Sequence, residues 1–189
     1  MTPMNDPHRF TLMIDIESLG LSPDSRILQV GYCVGDLQER TIVKGPISHL
    51  LRVDEQKDRA VDFGTLSWWM QQDKAVAGPI FAPCGDRVPL NFLFSIFEGV
   101  VGLYPGCTVW ASPAMFDLSM LTHAWDGKKP WSYSAERDMM TLYKLLDPKG
   151  ELKPSENAKA HDAGADAEWQ MQYLFRLYDR MVELQKGVV

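Results

Sequence analysis

The stretch FTLMIDIESLGL, residues 10–21, decides how the rest of the chain is read. Phe10 to Ile16 is a short apolar run that reads as a β-strand, with Gly20-Leu-Ser-Pro-Asp24 as the turn that ends it. Side chains along a strand alternate between its two faces, so Leu12, Ile14 and Ile16 share one face and Asp15 and Glu17 the other. Two carboxylates are thereby aimed at one point near the carboxyl end of a central-looking strand. Bringing such charges together costs about 1 kcal/mol even in solvated surroundings, unless a cation or a proton sits between them. Hard oxygen ligands suit magnesium or manganese. An Asp-x-Glu pair at a strand end also has a plain reading as surface acids, and further groups are needed to choose.

Working outward, Arg26 to Val34 predicts a second strand and Arg40 to Lys44 a third. Three strands so close in sequence form an antiparallel meander, because a parallel crossover needs a dozen or more residues. The pattern then turns helical. Thr65 to Gln72 is a short helix, and Pro89 to Val101 a longer one with Leu90, Leu93, Phe94, Phe97 and Val101 on one stripe. Cys107 to Ala111 reads as a buried strand. Pro113 opens a helix with Phe116, Met120 and Leu121 on its apolar side, and Asp138 to Leu146 makes another. A final helix over Ala163 to Leu184 places Trp169, Tyr173, Leu177 and Met181 at four-residue intervals. The sum is an α/β chain, a mixed sheet of an antiparallel meander plus parallel strands flanked by helices.

With 189 residues, 46% of them hydrophobic and 23% charged, the chain has the content of one folded domain, expected over 10–185 after a loose arm at 1–9. Disorder and membrane-spanning classes are excluded by composition and by the absence of a long apolar run. Pro3, Asp6 and Pro7 stand where a signal peptide needs a basic flank and an apolar stretch, which predicts cytoplasmic residence. Three cysteines, Cys33, Cys84 and Cys107, show no C-x-x-C spacing and read as incidental or buried thiols. The net charge of −6 disfavours a passive nucleic-acid binder, which needs Lys and Arg. It does not disfavour a metal-dependent nuclease, whose chemistry needs acids.

Three more groups complete a candidate site. Asp117 falls near the start of the helix after Cys107–Ala111, where a first-turn acid also complements the helix dipole. His161 and Asp166 are five residues apart, and five helical residues rotate by about 140°, so both cannot share a helix face. His161 is therefore placed in the loop entering the last helix, with Asp166 one turn inside, both able to reach the acid pair. Taken singly, each has a bland structural reading.

Taken together, Asp15, Glu17, Asp117, His161 and Asp166 resemble the DEDDh class of 3′-5′ exonucleases in order and context. Asp15-Ile-Glu17-Ser18-Leu19-Gly20-Leu21 is similar to that family's first motif, Phe116-Asp117 to its second, and His161 through Asp166 to its third. Leu66-Ser-Trp-Trp69 and Arg137-Asp138 followed by Thr141-Leu142 look most like a small bacterial and phage exoribonuclease branch. The resemblance implies a ribonuclease H-like fold and two divalent cations, Mg2+ or Mn2+, held by Asp15, Glu17, Asp117 and Asp166. It implies phosphodiester hydrolysis from the 3′ end of single-stranded RNA or DNA, with release of nucleoside 5′-monophosphates. His161 is the implied general base, since an imidazole titrates near neutral pH. Ser18 and Leu19 are the implied contacts to the terminal nucleotide, and the branch suggests a homodimer.

The adjacent Trp68 and Trp69 lie on one helical segment, so at most one faces the core, leaving the other for base stacking or, with Phe63, for an interface. Lys128-Lys129, between Trp125 and Trp131, reads as a solvated loop or a phosphate contact. Asp138 reads as structural. Two other functions stay open at this level: a non-catalytic nucleic-acid or protein adaptor retaining the fold, and a hydrolase of very short oligonucleotides. An adaptor predicts a broken acid set and a broad basic stripe, and neither is present.

Overall fold

The structure, a computed structural model, describes residues 8–82, 86–157, 159 and 161–186. Residues 1–7 of the expected arm, and Cys84, lie outside the described residues. Among these residues, five strands form one sheet: β1 (Phe10–Ser18), β2 (Ile27–Asp36), β3 (Thr41–Leu50), β4 (Thr108–Ala111) and β5 (Glu136–Asp138). Their order is β3-β2-β1-β4-β5. β1 pairs antiparallel with β2, which pairs antiparallel with β3, while β4 joins β1 in parallel and β5 joins β4 in parallel. The meander is as expected, and β1 is the central strand. β2 and β3 run further than their patterns indicated, because the Gly45 turn of backbone (φ 87°) lets β3 continue past Lys44 along β2. β5 was missed, since Glu136-Arg-Asp138 carries no apolar alternation and pairs only at the sheet edge.

Among the described residues, six helices accompany the sheet: α1 (Phe63–Met70), α2 (Lys74–Phe81), α3 (Leu90–Leu103), α4 (Ala114–Ala124), α5 (Met139–Leu146) and α6 (Ala163–Lys186). Local chemistry starts several of them. Asp62 accepts from the Thr65 N–H at 2.7 Å, Asp73 from Ala75 at 2.8 Å and Asp138 from Thr141 at 2.6 Å, each satisfying an orphan amide of the first turn. Asp138 also accepts from the Ala114 N–H at 2.7 Å, which pins the start of α4 to the start of α5 and makes this acid structural. α2 was not anticipated from the sequence, which breaks helical patterning with Gly78 and Pro79.

The alternation of β1 separates two cores. Leu12, Ile14 and Ile16 pack with Val30, Tyr32 and Val34 of β2 against Leu93, Phe97 and Val100 of α3 and Leu118 and Leu121 of α4. Met13 and Cys33 face the other way, against Ala167, Met171 and Leu174 of α6. Each fully buried aliphatic side chain contributes roughly 1.5–3 kcal/mol, so β1 is fixed from both sides. Asp15 and Glu17, in phase with Met13, therefore emerge on the α6 side. Among the described residues no helix is long and apolar enough to cross a membrane.

Candidate active site

Where β1 ends, its register sets Asp15 opposite Gly31 and Glu17 opposite Gln29, and Gly31 in turn faces Ser48 of β3. Across this row lies the N-terminus of α6. It comes close because two glycines make room: a Cβ on Gly31 would overlap the backbone of Ala163 and Gly164, and one on Gly164 would overlap the Ser48 hydroxyl. Polar groups then lock it. The Gln29 amide donates to Asp162 at 3.2 Å and accepts from the Ala163 N–H at 3.0 Å. Ser48 Oγ donates to Asp162 at 2.9 Å and accepts from the Gly164 N–H at 3.0 Å, while Asp162 caps the helix through Ala165. None of these docking groups was singled out from the sequence. Their signal is tertiary, since Gln29 and Ser48 acquire meaning only once strand register brings them under α6.

Docking in this way carries Asp166 to the acid pair. Asp15, Glu17 and Asp166 each offer a carboxylate oxygen, all within 4.8 Å of one another. Asp166 is held on both oxygens, by Asn157 Nδ2 at 2.8 Å and by the His161 backbone N–H at 2.8 Å. Asp15 Oδ1 accepts from Gln170 Nε2 at 2.7 Å. Asp117, on the first turn of α4, is buried at 2% exposure, and its Oδ2 has no hydrogen-bond partner. It lies close enough to Asp15 and Glu17 for both to act on its charge.

Burial and mutual repulsion make this an unfavourable place for bare carboxylates. Burial first, then Asp166, pushes Asp15 up to about 7, and burial first, then Asp15, pushes Glu17 up to about 9. Burial and the Asp15 charge raise Asp117 well above the ordinary carboxylate range, and burial also raises Asp166. A cluster of hard oxygen donors with an orphaned buried oxygen is a donor set that fits a hard divalent cation.

His161 lies in the loop before α6, in the left-handed region at φ 67°, a conformation uncommon outside glycine. Its Nδ1 is 3.6 Å from Glu17 Oε1, and its ring meets the Trp68 indole edge-on at 5.1 Å and Trp69 at 6.2 Å. The two tryptophans divide as helical geometry requires. Trp69 is buried at 1% exposure and donates from Nε1 to the Ser18 carbonyl at 2.9 Å, so it is withdrawn from any stacking or interface role. Trp68 stays partly exposed beside His161.

Ser18 and Leu19 follow Glu17 but turn inward. Ser18 Oγ donates to the Gly20 carbonyl, and the Leu19 side chain packs with Leu28, Trp69 and Ile80. The Leu19 N–H donates to Arg26 and its carbonyl accepts from Asp62. The Leu19 side chain is buried, and Leu21, at 81% exposure, is the outward-facing side chain of that turn. Trp125 and Trp131 are both core residues, and Lys129 is paired with Glu136 at 2.7 Å rather than left open to phosphate.

No curated protein matches the chain in sequence. Among solved structures, Escherichia coli exonuclease I in a zinc-bound complex with single-stranded DNA superposes with a TM-score of 0.66 at 18% identity, over 95% of this chain and 42% of that one. This chain therefore spans about two fifths of that relative's length. The nuclease domain of 3′hExo, a DEDDh family member bound to rAMP, superposes with a TM-score of 0.62 at 11% identity, over 93% and 94% of the two chains. The Mg2+- and Mn2+-bound form of Pop2p from S. pombe does so at 0.61 and 14% identity, over 90% and 83%. At these identities the likeness is one of fold, and the fold is ribonuclease H-like. The family profile described as the Rv2179c-like 3′-5′ exoribonuclease domain matches residues 10–177, nearly the whole of the described chain, and the protein belongs to that family.

Proposed function

We propose that the protein is a metal-dependent 3′-5′ exonuclease, with 10–185 as its catalytic domain and single-stranded RNA as its preferred substrate. One observation carries the reading: Asp15, Glu17 and Asp166 converge within 4.8 Å, His161 stands against Glu17, and the buried Asp117 feels the charges of Asp15 and Glu17. The preference for RNA is supported by the exoribonuclease family to which the chain belongs. Release of nucleoside 5′-monophosphates is supported by a neighbour of the same fold that holds rAMP.

Asp15, Glu17, Asp117 and Asp166 would hold two divalent cations, Mg2+ or Mn2+. When bound, such ions neutralise the scissile phosphate and acidify water. His161 then has the task of taking the proton from the attacking water. Its Nδ1 is turned toward Glu17, which leaves Nε2 as the nitrogen for that transfer. The position of His161 in a loop, 39% exposed at the side chain, gives it access to solvent and to a 3′ end. Ser18 and Leu19 shape the turn beside the site, with Leu21 as its outward contact. The same reading includes a cytoplasmic homodimer, for which exposed Phe63, Trp68 and Met70 on α1 supply an apolar face.

The test is a time course on matched 5′-labelled single-stranded RNA and DNA with Mg2+ or Mn2+, alongside EDTA and Asp15→Asn controls. A ladder shortening from the 3′ end, faster on RNA and lost in both controls, is expected. Uncut strands with either metal would overturn the reading, and cleavage of dinucleotides alone would restrict it to very short oligonucleotides.

A further inference from the structure

Gln170 sits one helical turn beyond Asp166 on α6, facing β1, and is buried at 8% exposure. Its Nε2 donates to Asp15 Oδ1 at 2.7 Å, while its Oε1 is buried without a partner. Burying an amide with an orphaned acceptor is unfavourable, and Leu or Met would fill the same space between α6 and the sheet. The useful half of the side chain is therefore the bond to Asp15. With Asp15 ionised, reversing the amide would set oxygen against oxygen at hydrogen-bond distance, so this partner fixes the orientation. Asp166 has both oxygens held by the loop before α6, whereas Gln170 is the only side-chain donor to Asp15 among the described residues.

We propose that Gln170 is a positioning residue for the acid cluster. By occupying Asp15 Oδ1 it fixes the rotation of the carboxylate and leaves Oδ2 directed to the space shared with Glu17 and Asp166. The affinity of that space for a divalent cation then depends on a neutral amide that does not touch the cation. This rests on the metal-dependent reading above. Groups that orient a metal ligand without binding the metal commonly change affinity by about 10–100-fold when removed.

The test titrates the whole protein with Mn2+ by calorimetry, comparing wild type, Gln170→Met, Gln170→Asn and Asp15→Asn, with thermal melts of each in EDTA. Met keeps the volume and loses the donor; Asn keeps the amide but withdraws it by one methylene, and serves if Met does not fold. Expected is a 10–100-fold weaker Mn2+ affinity in either folded Gln170 variant, a cooperative melt, and kcat on single-stranded RNA largely recovered at saturating Mn2+. Wild-type affinity in a folded Gln170 variant overturns the positioning role while leaving the metal reading intact. Absence of Mn2+ binding by the wild type overturns both. An affinity loss with kcat still depressed at saturation also overturns it, since Gln170 would then act on the reaction and not on Asp15.

Discussion

His161 and Glu17 face each other across the rim of the acid cluster, Nδ1 to Oε1 at 3.6 Å, although one ends the first strand and the other precedes the last helix. The contact leaves the imidazole between an acid and two indoles, with part of the side chain open to solvent. His161→Ala is expected to lower kcat by about 10²–10⁴-fold, the usual contribution of a general base, with substrate affinity changed much less. Single-turnover cleavage together with binding of an uncleavable oligonucleotide measures both. Equal losses in the two would remove His161 from the proton transfer.

Neutralising one ligand should separate activity from stability. Asp15→Asn and Asp166→Asn are expected to abolish turnover by removing a charge that a cation needs. In EDTA at roughly pH 8, Asp15→Asn should melt about 2–4 °C higher than wild type, because it relieves like-charge repulsion worth on the order of 1 kcal/mol. Paired assays and melts check this, and turnover at the wild-type rate in either variant would contradict the ligand assignment.

Stability of the metal-free protein should fall as pH rises. Asp15 at about 7 and Glu17 at about 9 keep their protons in the fold after the unfolded chain, with carboxyls near ~4, has lost them. The folded state then binds more protons than the unfolded one, so unfolding free energy declines with pH across the window from ~4 to about 9. Asp62, lowered by its Thr65 hydrogen bonds, acts in the opposite sense, and its contribution is lost only below ~4. Melting in EDTA should therefore drop steadily between roughly pH 5 and 9, with the largest rescue by Mn2+ at the alkaline end. A flat or rising profile would contradict it.

Gly31 has no tolerance for a methyl group. A Cβ there meets the backbone of Ala163 and Gly164, which cannot rotate away as a side chain could. Gly31→Ala is expected to cost about 1–3 kcal/mol in chemical denaturation and to lower activity further by displacing α6, which carries Asp166. Unaltered stability and turnover would show that α6 docks with more freedom than the contact implies.

Much of this is legible in the amino-acid sequence. Asp15 and Glu17 could be placed on one face from strand alternation alone, and His161 had to leave the helix because five residues turn it away from Asp166. The fold class followed from three closely spaced strands and the helices after them. What was not legible depends on register and approach. Gln29, Ser48 and Gln170 are ordinary polar residues in sequence, and only pairing across β1, β2 and β3 shows what they hold. Trp68 and Trp69 could be divided into one buried and one partly exposed ring, but which was which waited on the bond from Trp69 to Ser18. The packing of Leu19 in a small core with Trp69 of α1 and Ile80 of α2 likewise shows only in the fold.

The docking of α6 also governs timing. Asp15 and Glu17 are translated well before His161 and Asp166, and Asp166 joins them where Gly164 settles against Ser48. Closure of the three-carboxylate cluster therefore has to wait until α6 has been made and packed on the sheet.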